Sequence, residues 1–185
     1  MKLNLGSGNK KFEGYLNIDD DPTTDPDYLI NLDDINLRLP FDDNTVDEIK
    51  AIHVLEHIGQ GFIQLLKEIY RVSKNRCIID IVAPNEHHAV FYGDPTHVRP
   101  INANIFLTLC KEDDYGYLGR KYNISFKIVE SSVNYDGFYE PLIADYNIRK
   151  LENKTTPEED FAITRLLREA NNVIIENVIK LEVIK

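Results

Sequence analysis

The sequence predicts an α/β domain built on a doubly wound, mostly parallel sheet with an antiparallel C-terminal edge hairpin. Three observations predict it. A short apolar strand at 2–5 runs directly into Gly6-Ser7-Gly8. Strand-like and helix-like segments then alternate through residue 111. The last third changes to a period of two and ends in a long β-rich run, Val173 to Ile184.

The elements follow in order. Residues 15–19 read as a second strand that ends in acids, 28–32 as a third and 47–54 as a fourth. Phe62, Leu65, Leu66, Ile69 and Val72 share one face of a helix over 60–74. Residues 76–83 are nearly continuously apolar, the pattern of a strand buried on both faces, and Pro84 stops it. A helix is expected over 101–111, with Ile105, Phe106, Leu109 and Cys110 on one side. Tyr122, Ile124, Phe126 and Ile128 alternate with polar residues, so 122–134 reads as a strand with one wetter face. Thr156-Pro157-Glu158-Glu159 opens a further helix, with Thr156 at the N-cap and Glu159 completing a capping box. The segments 122–134 and 173–184 are expected to pair antiparallel at the sheet edge.

The 185 residues fit a single domain, 1–185, with a substantial core. The apolar fraction of 43% and the charged fraction of 28% are those of a soluble globular protein. Cys77 and Cys110 have no CxxC-type partner, which fits packed thiols in a reducing cytoplasm. No leader pattern and no membrane-length apolar run is expected from the sequence. The net charge of −10, with scattered Lys and Arg, argues against a nucleic-acid partner.

The glycine turn Leu5-Gly6-Ser7-Gly8 follows the first strand, where ligands of doubly wound folds bind. Asp19 ends the second strand thirteen positions after Gly6. An acid there accepts hydrogen bonds from both hydroxyls of a ribose that carries no phosphate. The run Asp19-Asp20-Asp21 repels a pyrophosphate, and Lys11 occupies the third glycine position of the dinucleotide fingerprint. No Tyr-x-x-x-Lys pair stands at a plausible place for a NAD enzyme. A cationic adenosyl cofactor suits this acidic rim better than NAD.

The order Leu-Asn-Leu-Gly-Ser-Gly (3–8), Asn-Ile-Asp (17–19), Leu-Pro-Phe-Asp-Asp-Asn-Thr-Val-Asp (39–47) and His-Val-Leu-Glu-His (53–57) resembles class I S-adenosylmethionine-dependent methyltransferases. With Gly-Asp-Pro-Thr-His at 93–97 it is most similar to small predicted members of that class. The resemblance covers roughly residues 2–100. It implies a Rossmann-like, seven-stranded sheet whose last strand is antiparallel, and S-adenosylmethionine as cofactor. It implies that Leu5, Gly6, Ser7 and Gly8 lie under the methionine portion and that Asp19 holds the ribose. Asp33 is then near the adenine amino group, with Asp34 as the alternative, and His53 faces the methionine side. The sequence departs from the pattern in two respects. Only about six residues separate Gly8 from the second strand, so the usual first helix is short or missing, and no helix is expected before the first strand. Either a partner subunit completes the cofactor enclosure or the enclosure is loose.

Five histidines fall between 53 and 97. His53-Val54-Leu55-Glu56-His57 also matches the inverted zinc-protease pattern, but that motif needs both histidines on one helix, and His53 ends a strand. No metal is expected on this reading. Gly93 to Pro100 joins turn formers to Asp94, His97 and Arg99. Methyl transfer from a sulfonium is an in-line displacement that needs alignment, and a hydroxyl acceptor must also lose a proton. His97 is the first candidate for that base, followed by His57 and Asp94. The acceptor is expected to be a small molecule, a sugar or another metabolite, held by loops 84–100 and 111–121 with Tyr115, Tyr117 and Tyr122. Binding of the cofactor without transfer is the principal alternative, and a zinc hydrolase is the remoter one. Self-association has two candidate surfaces, the short third strand and the C-terminal hairpin.

Overall fold

The computed structural model describes residues 1–185. Seven strands form one sheet: β1 (Lys2–Leu5), β2 (Leu16–Asp19), β3 (Tyr28–Leu29), β4 (Val46–Ile52), β5 (Ser73–Pro84), β6 (Phe126–Tyr135) and β7 (Ile174–Val183). Their order is β3-β2-β1-β4-β5-β7-β6. The first five are parallel, and β7 runs antiparallel to both β5 and β6. The expected mostly parallel sheet with an antiparallel edge is therefore present. Its order reverses between β1 and β4, and this opens a crevice beyond their C-terminal ends.

Helix α1 (Phe62–Val72) connects β4 to β5 and buries the predicted stripe of Phe62, Leu65, Leu66, Ile69 and Val72. That stripe meets Leu3, Leu5, Ile49, Ala51, Ile79 and Ile81 from the sheet in a core cluster of 30 buried residues. Three short helices follow: α2 (Ala89–Gly93), α3 (Ala103–Leu107) and α4 (Tyr117–Tyr122). Helix α3 is shorter than the expected 101–111 segment, although Phe106 and Leu109 are buried as expected. The strand expected from Tyr122 starts only at Phe126. Residues 117–122 wind into α4 instead, and Asn123 stops that helix at φ 54°. Helix α5 (Glu140–Leu151) was not legible in the sequence. It buries Ile143 and Tyr146 but leaves Leu142, Ile148 and Leu151 exposed, so its apolar residues mark no single face. Helix α6 (Pro157–Glu169) begins with the predicted capping box, in which Thr156 Oγ1 accepts from the Glu159 N–H and Glu159 accepts from the Thr156 N–H.

No helix lies between β1 and β2, and this changes the second face of the sheet. Strand β5 was expected to be buried on both faces. Its Ile79, Ile81 and Ala83 are buried, but Ile78, Asp80 and Val82 are only half-buried. Charged side chains span the second face where a helix layer would sit. Lys50 pairs with Asp80 at 3.0 Å and lies over the Phe12 ring at 5.3 Å, and Lys180 pairs with Glu130 at 3.2 Å. No helix of the structure is long and apolar enough to cross a membrane.

Candidate active site

The crevice at the sheet reversal is a cleft of about 330 Å³, lined from four directions. Gly6 and Gly8 come from the turn after β1, and Asp19 and Asp20 from the end of β2. Ile30, Asn31, Leu32 and Asp33 come from the segment after β3, and His53, Val54, His57 and Ile58 from the segment after β4. Four loops meet here because parallel strands all deliver their C-terminal ends to one side of the sheet.

The glycine turn is fixed by sterics and by hydrogen bonds. Gly6 has φ +58°, and a Cβ on it would lie 2.3 Å from Val54 Cγ2. The backbone therefore needs glycine both for its conformation and for the approach of Val54. The Ser7 N–H donates to Ile18 O at 3.1 Å. The Gly8 N–H donates to Asp19 Oδ2 at 2.7 Å, and the Asp21 N–H donates to Asp19 Oδ1 at 3.0 Å. A carboxylate accepts about four hydrogen bonds, so both Asp19 oxygens keep lone pairs for a ligand. Asp33 Oδ1 accepts the Gly61 N–H at 2.7 Å, which anchors the segment after β3 to the start of α1. Asp34 accepts the Asn36 N–H and does not reach the cleft wall.

His53 follows β4 directly in the left-handed region, φ 54°, which is costly for a residue with a side chain. Its Nε2 lies 2.9 Å from Glu176 Oε1 and its Nδ1 lies 3.5 Å from Glu56 Oε1. Glu56 and then Glu176 raise the His53 pKa against the opposing effect of burial.

A turn at Leu55–His57 follows. The Glu56 carbonyl accepts the N–H groups of Val98 and Arg99, and the Arg99 guanidinium donates to Gly59 O and stacks on Phe62 at 4.4 Å. These bonds fasten the loop of Asp94 and His97 against the loop of His57. Asp94 Oδ1 accepts both the N–H and the hydroxyl of Thr96, and these bonds hold its carboxyl below the ordinary range. His57 Nδ1 lies 2.8 Å from Thr96 Oγ1. The His97 ring stands edge-on to His57, with centroids 4.7 Å apart, and its Nδ1 donates to Phe91 O at 2.8 Å.

Residues 21–79 match the family model of a methyltransferase domain. The fold of a SAM-dependent methyltransferase from Archaeoglobus fulgidus aligns over 98% of this chain and 85% of that one, with a TM-score of 0.59 at 17% identity. This chain has the fold of the S-adenosylmethionine-dependent methyltransferases. Phosphoethanolamine N-methyltransferase 2 of Haemonchus contortus, in complex with S-adenosyl-L-methionine, aligns with a TM-score of 0.56 at 14% identity, over 100% of this chain but 48% of that one. A stretch of 50 residues is 42% identical to an uncharacterized protein of Methanocaldococcus jannaschii. That stretch is 27% of this chain and about a fifth of the relative, 21%.

Within this methyltransferase fold the sequence-derived residues separate into three groups. Gly6, Gly8, Asp19, Asp33, His53 and His57 line the cleft. Leu5 and Ser7 are buried behind the turn, where Leu5 belongs to the core and shapes the loop from below. Asp94 and His97 stand behind His57, and the His97 side chain is 7% exposed. Of the two rings expected to serve as base, His57 is therefore the one that reaches the cleft. Tyr115 and Tyr117 are exposed, and Tyr122 lies beside Lys67 of α1, so none of the three lines the cleft. Sequence reading missed Ile30, Asn31 and Leu32. The sequence reading put them inside a third strand over 28–32, but β3 ends at Leu29, and their position over the cleft depends on the Ile30 N–H bonding Asp19 O at 2.8 Å.

Proposed function

We propose that this chain binds S-adenosylmethionine in the cleft between β1 and β4 and transfers its methyl group to a small-molecule acceptor that enters beside His57. One observation carries the reading. The glycine turn, the Asp19 carboxylate and Asp33 line one wall-to-wall cleft at the sheet reversal, in a fold shared with methyltransferases. The cleft has Asp19, Asp20 and Asp33 on its rim and no Lys or Arg among its lining residues. That electrostatic character suits a nucleoside with a sulfonium charge and opposes a pyrophosphate.

In this reading Asp19 receives the ribose hydroxyls, and the segment from Ile30 to Asp33 packs on the adenine. Gly6 and Gly8 let the methionine portion approach the backbone, with His53 beside it. Transfer then requires the acceptor atom, methyl carbon and sulfur to lie in line. Proton removal from a hydroxyl acceptor falls to the polar cluster at the His57 end of the cleft. There Asp94 orients Thr96, Thr96 orients His57, and His97 backs the ring. The acceptor class is a sugar or a similar small metabolite, and the setting is a cytoplasm in which Cys77 and Cys110 remain free thiols.

Calorimetry with S-adenosylmethionine, S-adenosylhomocysteine and NAD tests the cofactor. Micromolar binding of both adenosyl compounds, with none for NAD, is expected. Release of S-adenosylhomocysteine across a panel of hydroxylated metabolites then tests transfer. Tight cofactor binding without turnover on any acceptor would favour a binding module, and absence of adenosyl binding would remove the reading.

A further inference from the structure

Glu56 is fully buried, with 0% exposure, yet neither of its carboxylate oxygens has a hydrogen-bond partner. The nearest donor, His53 Nδ1, stays at 3.5 Å and is already oriented by Glu176 through its other nitrogen. Buried carboxylates are almost always paired or bound to a metal. Besides the His53 contact, two further imidazoles stand close to Glu56. One ligating atom from each of Glu56, His57 and His97 lies within 4.8 Å of the other two.

The hydrogen bonds fix the ring tautomers. Phe91 O can only accept, so His97 Nδ1 carries a proton, and in the neutral ring its Nε2, 3.8 Å from Asp94 Oδ2, keeps a lone pair. Thr96 gives its hydroxyl proton to the Asp94 carboxylate at 2.5 Å, so its oxygen accepts from His57 Nδ1 and the Nε2 of His57 is also free. Two imidazoles whose distal N–H groups are held by a carbonyl and by a carboxylate-anchored hydroxyl form the outer support typical of metal-ligating histidines. We infer that Glu56, His57 and His97 form a binding site for a divalent transition-metal cation, zinc first among them, at the His57 end of the cleft. The donor set of two neutral nitrogens and one carboxylate suits zinc and its first-row neighbours better than calcium or magnesium. Closing to zinc's bond lengths of about 2.0–2.2 Å requires the three side chains to draw together slightly.

The site differs from the one that the spacing of His53 and His57 implied. His53 turns to Glu176, and the third ligand comes instead from His97, forty positions after His57 in the chain. Three protein ligands leave a coordination position for water or a substrate oxygen. Because His57 also lines the cleft, an acceptor hydroxyl can occupy that position and be acidified by the cation. This use rests on the methyl-transfer reading, whereas the binding of the cation does not.

The test is calorimetric titration of chelator-treated, full-length protein with zinc chloride, repeated with Glu56→Gln, His57→Asn and His97→Asn. Asparagine keeps a donor near the position of Nδ1 and removes Nε2, so the bonds to Thr96 and Phe91 persist. One zinc per chain with submicromolar affinity is expected, weakened at least 100-fold in each variant. Cobalt should give the visible absorption of a low-coordinate site in the wild type only. Zinc should raise the melting temperature of the wild type and leave that of Glu56→Gln unchanged. Equal affinity in the wild type and all three variants, or less than one zinc per chain, would overturn the inference. Zinc binding that persists while S-adenosylmethionine fails to bind would overturn the cofactor reading alone.

Discussion

Gly8 donates its backbone N–H to the Asp19 carboxylate at 2.7 Å, so the turn after the first strand and the acid after the second form one preassembled unit. The same carboxylate accepts the Asp21 N–H and therefore holds two loops at once. Asp19→Asn should keep part of this scaffold and lose the charge, while Asp19→Ala loses both. We expect S-adenosylmethionine affinity to fall at least tenfold in Asp19→Asn and further in Asp19→Ala, measured by calorimetry. Charge-assisted bonds contribute about 1.5–3 kcal/mol, so Asp19→Ala should also lower unfolding free energy by an amount in that range. Unchanged cofactor affinity in both variants would remove Asp19 from the site.

Gly6 and Val54 are coupled through space. A methyl group on Gly6 meets Val54 Cγ2 at 2.3 Å, and the backbone there has φ +58°. Gly6→Ala should cost about 2–4 kcal/mol, part from overpacking and part from backbone strain. Val54→Gly in the same chain removes both clashing atoms, Cγ2 at 2.3 Å and Cβ at 2.6 Å, and so relieves only the overpacking. Urea titration of the two single variants and the double variant should give a coupling of at least about 1 kcal/mol. Strict additivity would place the whole cost in the backbone.

Glu68 of α1 is 4% exposed and ties the segment before β4 to the helix. It accepts the Leu39 N–H at 2.8 Å and pairs with Arg71 at 2.6 Å. Burial pushes its carboxyl up, but the bonds from Arg71 and Leu39, with Arg38 nearby, outweigh it and leave the pKa below the ordinary value. A depressed folded pKa contributes stability above the unfolded value, about 4.3, and that contribution is lost as pH falls through the folded value. Glu68→Gln should cost about 3 kcal/mol at neutral pH, because Arg71 loses its buried partner. The variant's stability should also fall less steeply than the wild type's below about pH 4.3. Parallel acid limbs in the two proteins would assign the acid sensitivity to other carboxylates.

The capping box at Thr156 and Glu159 supports a helix with no buried residues, so α6 depends on local bonds more than on packing. Thr156→Ala should destabilise it by about 1 kcal/mol. Amide hydrogen exchange of residues 160–166 is the appropriate measurement, since α6 can open without global unfolding. Protection there should drop about fivefold, with β4 and β5 unchanged.

Local signals were sufficient for much of this architecture. The α1 stripe, the Thr156 cap, the glycine turn and the β-rich run of β7 were legible because each depends on residues a few positions apart. Helix α5 was not, because its apolar residues follow no single face. Strand β5 looked doubly buried because its residues are apolar, and only the lack of a helix between β1 and β2 leaves its second face to Lys50, Asp80 and Lys180.

Sequence alone was enough for the class of sheet, the place of the cleft and half of the residues that line it. Parallel strands send their C-terminal loops to one side, so Gly6, Asp19, Asp33 and His53 had to converge once their strands were identified. Which histidine lines the cleft and which stands behind it followed only from long-range packing. Packing likewise decided that Glu56, noted in the sequence only as part of His-Val-Leu-Glu-His, is buried without a hydrogen-bond partner beside His57 and His97. Those facts depend on how two loops, about forty residues apart in the chain, are fastened by the Glu56 carbonyl and Arg99, and no local periodicity encodes that contact.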